Sequence, residues 1–195
     1  TLFGVTTASV VAVVGSAGLT LGLALQGSLA NFAGGVLIML LKPFVVGDYI
    51  IEDSHGNEGT VAELSIFYTR LLTPDHKTIV IPNGSLANSS LTNVTHCEKR
   101  RVDLEVGIAY EADLKLAKDI LRKLAEAETC RLPKEELQVF VSELGASEVK
   151  LGLRIWVSTE DYWDAKWRLT EQVKLAFDEA GIEIPYTKID VQMRQ

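Results

Sequence analysis

The stretch Gly15-Ser-Ala-Gly-Leu-Thr-Leu-Gly-Leu-Ala-Leu-Gln-Gly27 decides how this chain is read. It lies inside Thr1 to Leu41, a run without any Asp, Glu, Lys, Arg or His. It is too apolar for a loop and too rich in glycine for an ordinary core helix. Each glycine in a helix interior costs about 1 kcal/mol relative to alanine. A helix that accepts this repeatedly needs another backbone to come very close. In a membrane that backbone usually belongs to another helix.

As one helix, Thr1 to Leu41 would be roughly 60 Å long, whereas the hydrocarbon core of a bilayer is about 30 Å thick. The run therefore divides, and Gln26-Gly27 is the natural place. A polar side chain and a flexible backbone there close a single crossing from Val5 to Ala24. This predicts a kinked helix over residues 1–41. Its first half, 1–26, spans the membrane. Its second half, 28–41, carries Asn31 and Gly34-Gly35, ends at Lys42-Pro43, and lies near the interface or leaves at an angle. Sharp kinks usually have a Gly or Pro cause. A signal peptide does not fit, because there is no basic n-region and the apolar run is far too long.

At about 100° per residue the first half sorts into faces. Ala12, Ser16 and Thr20 form one small-residue stripe, and Gly15, Gly18 and Gly22 form a groove on the other flank. Leu19 and Leu23 lie between them, with Gln26 on the same side. Val10, Val14, Leu21 and Leu25 lie opposite. Knobs on one flank and a groove on the other allow heterologous packing, which closes into a ring when the rotation permits. Leu19 and Leu23 would then face the axis as a constriction that gates by dewetting. The same pattern also describes a glycine-zipper helix in an ordinary bundle, with the leucines as packing residues.

The rest of the chain is chemically different. Of the 195 residues, all 19 Lys and Arg and all 26 Asp and Glu lie from Lys42 onward, and the net charge is -7. That balance argues against a nucleic-acid partner held by a broad basic face. Lys99-Arg100-Arg101, the one basic cluster, reads as a solvated strand end. Cys97 and Cys130 show no CxxC spacing and read as reduced thiols of a cytosolic compartment. His55, His76 and His96 lack metal-site spacing, and no cofactor or metal is predicted. Asn83-Gly-Ser, Asn88-Ser-Ser and Asn93-Val-Thr match the glycosylation pattern but read as turn and strand residues. No Walker A lysine, nucleophile elbow or zincin motif appears, so no enzyme is predicted.

After Lys42-Pro43 the pattern turns to short, β-branched, turn-bounded segments at 49–51, 59–64, 67–72 and 78–81. These predict a small β-domain over residues 42–100. From Arg101 to the end, 101–195, the order is strand (102–109), helix (113–128), strand (137–144), strand (149–158), helix (162–180) and strand (188–193). That is βαββαβ, the ferredoxin-like order. Asp113 suits a helix N-cap and Gly181 a helix stop. Glu160-Asp161-Tyr-Trp163-Asp164 reads as a helix start with favourable acids, or alternatively as the lining of a portal.

These residues together resemble the small-conductance mechanosensitive channel (MscS) family. Residues 4–10 and Gly15 through Asn31 resemble its pore-lining third transmembrane helix. The likeness continues through Lys42-Pro-Phe, Gly47-Asp-Tyr, Gly59-Thr-Val, Asp75-His-Lys and Ile81-Pro-Asn-Gly84. It then runs through Gly107-Ile-Ala-Tyr110, Glu143-Leu-Gly-Ala-Ser147 and Ala180-Gly-Ile to Pro185-Tyr.

The resemblance implies a membrane α plus β and α+β fold. Its parts are a kinked pore helix, a five-stranded Sm-like β-domain and a ferredoxin-like domain whose last strand joins an intersubunit β-barrel. It implies a homoheptamer, so six further copies as partners, opened by tension from membrane lipids and releasing ions and small osmolytes on hypo-osmotic shock. On it, Leu19 and Leu23 are gate residues. Ala12, Ser16 and Thr20 are packing knobs, and Gly15, Gly18 and Gly22 the grooves they enter. Gln26 and Gly27 mark the kink and Gly35 an alternative bend, while Asn31 and Gly84 join the second half-helix to the β-domain.

Ser16 and Thr20 stand where the family commonly has alanine, so the helix contact is expected to be tighter or hydrogen-bonded through the hydroxyls. Thr1 is not an initiator methionine, and the family's two preceding helices do not precede it. We therefore expect a piece of a multi-pass inner-membrane subunit, cytoplasmic after about residue 42, with the tension sensor in the missing part. The competing expectation is a membrane-anchored oligomeric module that binds a ligand or RNA without conducting. The acidic balance and the missing aromatic RNA-binding motif disfavour RNA.

Overall fold

Thr7–Leu41 contains no proline and no charge, and in the computed structural model it forms one 35-residue helix, α1. The structure describes residues 6–187. Thr6 caps the start, its Oγ1 accepting from Ser9 N at 3.2 Å. Lys42 ends the helix in the left-handed conformation (φ 48°, ψ 54°), with its N–H donating to Ile38 O at 2.8 Å. Pro43 follows and cannot continue a helix. The helix runs without interruption through Gln26-Gly27, where the sequence reading divides it. A glycine makes a bend cheaper but does not cause one. Within this chain no heavy atom beyond the helix's own local backbone lies within 4 Å of a Cβ placed on Gly27. By length and composition α1 can cross a membrane, and its large apolar side chains from Val10 to Leu29 are exposed.

Two compact units divide between His96 and Cys97. The first holds α1 and a β-domain made of β1 (Tyr49–Glu52), β2 (Asn57–Leu64), β3 (Tyr68–Leu72), β4 (Thr78–Pro82), the short helix α2 (Asn83–Ala87) and β5 (Leu91–Asn93). The five strands pair antiparallel in the order β4-β3-β2-β1-β5. Ile50, Val61, Leu71, Ile81 and Leu86 form its core, joined by Phe44 and by Ile38 from α1. In the β1–β2 turn, buried Glu52 accepts from Ser54 N (2.9 Å) and His55 N (3.0 Å). Burial pushes its carboxyl up, but hydrogen bonds from Ser54 and His55 outweigh that and hold it below the usual range.

The second unit contains β6 (Lys99–Ile108), α3 (Leu114–Ala127), β7 (Gln138–Leu144), β8 (Val149–Ser158) and α4 (Tyr162–Glu179). Its sheet is antiparallel in the order β6-β8-β7. Sequence order 1-3-2 with helices after the first and third strands is the ferredoxin-like arrangement. The strand expected at 188–193, with its barrel, lies outside the described residues. Asp113 caps α3, its Oδ1 accepting from Lys115 N (2.9 Å) and Leu116 N (3.1 Å). Ala117, Leu121 and Ala125 of α3, with Ala165, Leu169, Val173 and Phe177 of α4, are buried at helical spacing against the sheet. Gly181, at φ +69°, stops α4. At the start of α4, Asp161 accepts from Ser158 Oγ at 2.6 Å, and Asp164 sits in the first turn, where acids are favoured.

One buried ion pair ties α3 to α4. Glu128, just past α3, accepts from Arg168 Nε (3.0 Å) and Nη2 (2.5 Å) and from Cys130 N (3.0 Å). Its side chain is 1% exposed and that of Arg168 is 39% exposed. Burial pushes the Glu128 carboxyl up, but the Arg168 guanidinium and the Cys130 N–H outweigh it and hold the carboxyl below its usual range. The same pairing raises Arg168.

Candidate functional site

The two halves of α1 meet opposite surroundings, and the sequence explains both. In the first half, Cβ atoms placed on Gly15, Gly18 and Gly22 would meet nothing within 4 Å. Leu19 and Leu23 are 66% and 63% exposed. Within one chain, therefore, neither the groove nor the leucine face is covered. Ser16 Oγ donates to Val13 O (2.9 Å) and Thr20 Oγ1 to Ser16 O (2.8 Å). Both hydroxyls bond back to their own helix, a common habit of Ser and Thr inside helices. The hydroxyl alternative for the knob stripe thus finds both donors already engaged.

In the second half the glycines are pressed against the β-domain. A Cβ on Gly34 would lie 2.5 Å from Asn83 O, and one on Gly35 would lie 2.6 Å from Asn83 Nδ2 and closer still to Ile66 O. Only a residue without a side chain fits where a helix meets backbone this closely. Gly34 and Gly35 pack against the β-domain in a continuous helix. Asn31 and Gly84 do come together: Gly84 N donates to Asn31 Oδ1 at 3.0 Å. A Cβ at Gly84 would lie 2.8 Å from that same oxygen and 3.1 Å from the Ala30 backbone carbonyl, so any side chain there would displace the Asn31 amide. Phe32 and Phe67 add a tilted ring contact at 6.3 Å, and Ile38 enters the β-domain core.

The exit from α1 is tied down separately. Asp48 Oδ2 accepts from Val45 N (2.9 Å) and Asn93 Nδ2 (2.8 Å), and Asn93 Nδ2 also donates to Pro43 O (3.2 Å). Gly47, at φ +101°, makes the turn that brings Asp48 there. The site is thus a long apolar helix with one end open on all faces and the other clamped to a β-domain. It offers no acid–base or nucleophilic constellation. Among the described residues, no group of three or more His, Cys, Asp or Glu could hold a metal ion.

Residues 27–96 match the family described as mechanosensitive ion channel, beta-domain, and residues 102–184 the one described as mechanosensitive ion channel MscS, C-terminal. A small-conductance mechanosensitive channel of Helicobacter pylori is 34% identical over 194 residues, covering 98% of this chain and 69% of the relative. The chain belongs to the MscS family. A small-conductance mechanosensitive channel of Edwardsiella ictaluri is 43% identical over 180 residues, covering 92% of this chain but only 62% of that protein's length. The crystal structure of Helicobacter pylori MscS in a closed state is similar at a TM-score of 0.90 and 31% identity, covering 98% of this chain and 76% of that one.

Several residues of this MscS-family chain escaped the sequence reading. Asn83 and Thr69 are fully buried and bonded to each other (2.8 Å), and the Ile66 carbonyl crowds Gly35. Asn83 lies within the quoted Ile81-Pro-Asn-Gly84, but nothing local marks it as buried. Asn93, which reads as an ordinary turn or strand residue and ends β5, also braces the helix exit.

Proposed function

We propose that this chain is the pore-forming part of a mechanosensitive ion channel subunit. Membrane tension opens a homo-oligomeric pore that passes ions and small osmolytes during hypo-osmotic shock. The observation that carries the reading is the first half of α1, an apolar helix whose glycine groove and leucine face are both uncovered within the chain, in a member of a channel family. Ala12, Ser16 and Thr20 of one copy enter the Gly15, Gly18 and Gly22 groove of the next, and the rotation closes a ring. The ring holds seven copies in this reading, as the resemblance implies. Leu19 and Leu23 then face the axis as two apolar rings too narrow to stay wet.

The chemistry is mechanical. Tension favours whichever state has the larger in-plane area, lowering the free energy of the expanded pore in proportion to that difference and so shifting the population toward it. The first half of α1 tilts about Gln26 and Gly27, the leucine rings widen, and water enters. Asn31 and Gly84 couple the second half to the β-domain. The full-length subunit is multi-pass in the inner membrane, and residues after about 42 are cytoplasmic. The test is patch recording under graded suction from cells that lack other mechanosensitive channels and express the full-length protein. Discrete stretch-activated steps are expected, from a complex whose native mass is that of seven subunits. A protein present in the membrane without such steps refutes the reading.

A further inference from the structure

We infer that the hydroxyls of Ser16 and Thr20 build a point of flexure into the first half of α1, over residues 13–20 and beside the proposed Leu19 ring; the inference rests on the channel reading above. Ser16 Oγ donates to Val13 O (2.9 Å) and Thr20 Oγ1 to Ser16 O (2.8 Å). In the α-helical pattern the Val13 carbonyl also accepts from the N–H of Ala17, and the Ser16 carbonyl from that of Thr20. Each of these carbonyls is therefore shared between a helical N–H and a hydroxyl. A side chain inserted into the helical ladder in this way weakens the rung and bends helices, and Gly/Ser pairs do the same. Gly15-Ser16 is such a pair, with Gly18 close behind it. Cβ atoms on Gly15 and Gly18 would meet nothing within 4 Å, so no other part of the chain props the backbone here.

The placing of the two shared carbonyls gives the flexure a direction. Val13 and Ser16 are three residues apart, about 60° on the helix surface, so both weakened rungs lie on one flank. The helix hinges there in one plane and does not soften all round. Leu19 sits inside the segment and Leu23 one turn beyond it. Flexing at 13–20 moves the helix from Thr7 to Ala12 without moving Leu23. The two leucine rings then widen in separate steps, the Leu19 ring first. Between the steps the Leu23 ring alone limits the pore, which gives an intermediate level of conductance. Gln26 and Gly27 tilt the whole first half, whereas residues 13–20 let its outer part lead.

The test records the full-length channel in excised patches under graded suction. Ser16→Ala removes only the hydroxyl, Thr20→Val keeps the side-chain shape without it, and Thr20→Ser keeps the hydroxyl but loses a methyl. Wild-type openings are expected to dwell at an intermediate level before full opening. With Ser16→Ala and Thr20→Val together, that dwell should shorten at least about twofold, the low end of what one net hydrogen bond is worth. Thr20→Ser should keep it. A dwell that shortens in Thr20→Ser but not in the double variant follows packing and overturns the inference. So do equal dwells in the double variant and wild type, or a wild type that opens in one step. A wild type without stretch-activated current overturns the channel reading instead.

Should the variants fail to reach the membrane, wild-type rings decide the matter. Spin labels at Val10 and Leu25, both exposed within the chain, bracket residues 13–20 and stop short of Gln26-Gly27. They lie on the face opposite the leucines. In rings diluted with unlabelled subunits, a bend of about 30° acting at the helix surface should change their separation by about 3 Å between closed and open states. A change below about 1 Å means a rigid segment and overturns the flexure.

Discussion

Arg168→Met removes the partner of a carboxylate that water does not reach. Glu128 has a 1% exposed side chain, two bonds from Arg168 and one from Cys130 N. Removing one partner of a buried ion pair typically costs about 3–5 kcal/mol, because the other charge stays behind. Here the Cys130 N–H remains, and the Arg168 side chain is 39% exposed, so water enters from that side. The expected loss is therefore near the lower end, about 3 kcal/mol. Glu128→Gln keeps an oxygen for Cys130 N and leaves its unpaired charge on Arg168, whose 39% exposed side chain water reaches, so about 1–2 kcal/mol is expected. The double variant should lie close to Glu128→Gln alone, well short of the sum of the single losses.

The assay follows from where the tryptophans are. All three, Trp156, Trp163 and Trp167, belong to the second unit, so indole emission during denaturant titration of the solubilised protein reports on that unit. The pH dependence has a definite sign. Glu128 is held below its ordinary value of 4.5, so its stabilisation is complete above that value and is lost as pH falls through the lower folded value. The gap between wild type and Glu128→Gln should therefore shrink as pH falls from neutral to below the ordinary value of 4.5. The reasoning is refuted by an Arg168→Met loss below about 0.5 kcal/mol, the scatter of ordinary surface substitutions. A gap that does not change with pH would refute it equally.

Three further outcomes are expected. Leu19→Ser places a hydroxyl in the proposed constriction, so the pore wets at lower tension; slowed growth and a lowered opening threshold in patches are expected, and an unchanged threshold counts against the gate assignment. Gly22→Leu fills the groove, so rings should assemble poorly or fail to open, and normal assembly with normal opening removes the groove from the mechanism. Asp113→Ala deletes both cap bonds to α3 and should cost about 1 kcal/mol, read by the same tryptophan titration, with Asp113→Asn largely restoring it.

The sequence was most legible where a local rule has one outcome. β8 occupies the expected 149–158, because its apolar residues are bounded by turns on both sides. Asp113 and Gly181 act as expected, since a cap and a left-handed stop depend on only a few neighbouring residues. The short helix α2 was missed, because Pro82-Asn-Gly-Ser carries turn chemistry and the helix is held by packing of Leu86 into the core. Glu128 and Arg168 lie far apart in sequence, and no periodicity connects them. The glycines are the instructive case. Sequence alone recognised that they matter but could not separate a glycine that bends a helix from one that lets a carbonyl approach. The close approach at Gly34 and Gly35 becomes visible only with Ile66 and Asn83 placed beside them.

The back-bonded hydroxyls of Ser16 and Thr20 have a consequence for how neighbouring copies would move. With their protons already committed to Val13 and Ser16 carbonyls, these side chains would have no proton left to donate to a neighbouring helix. A seam of that kind would have fewer directional bonds to snap as it shears. It would behave more as a lubricated bearing than as a ratchet, with resistance to sliding coming mainly from the shape of the groove. Friction along the pore wall would then be set by how smoothly small side chains ride over bare glycine backbone.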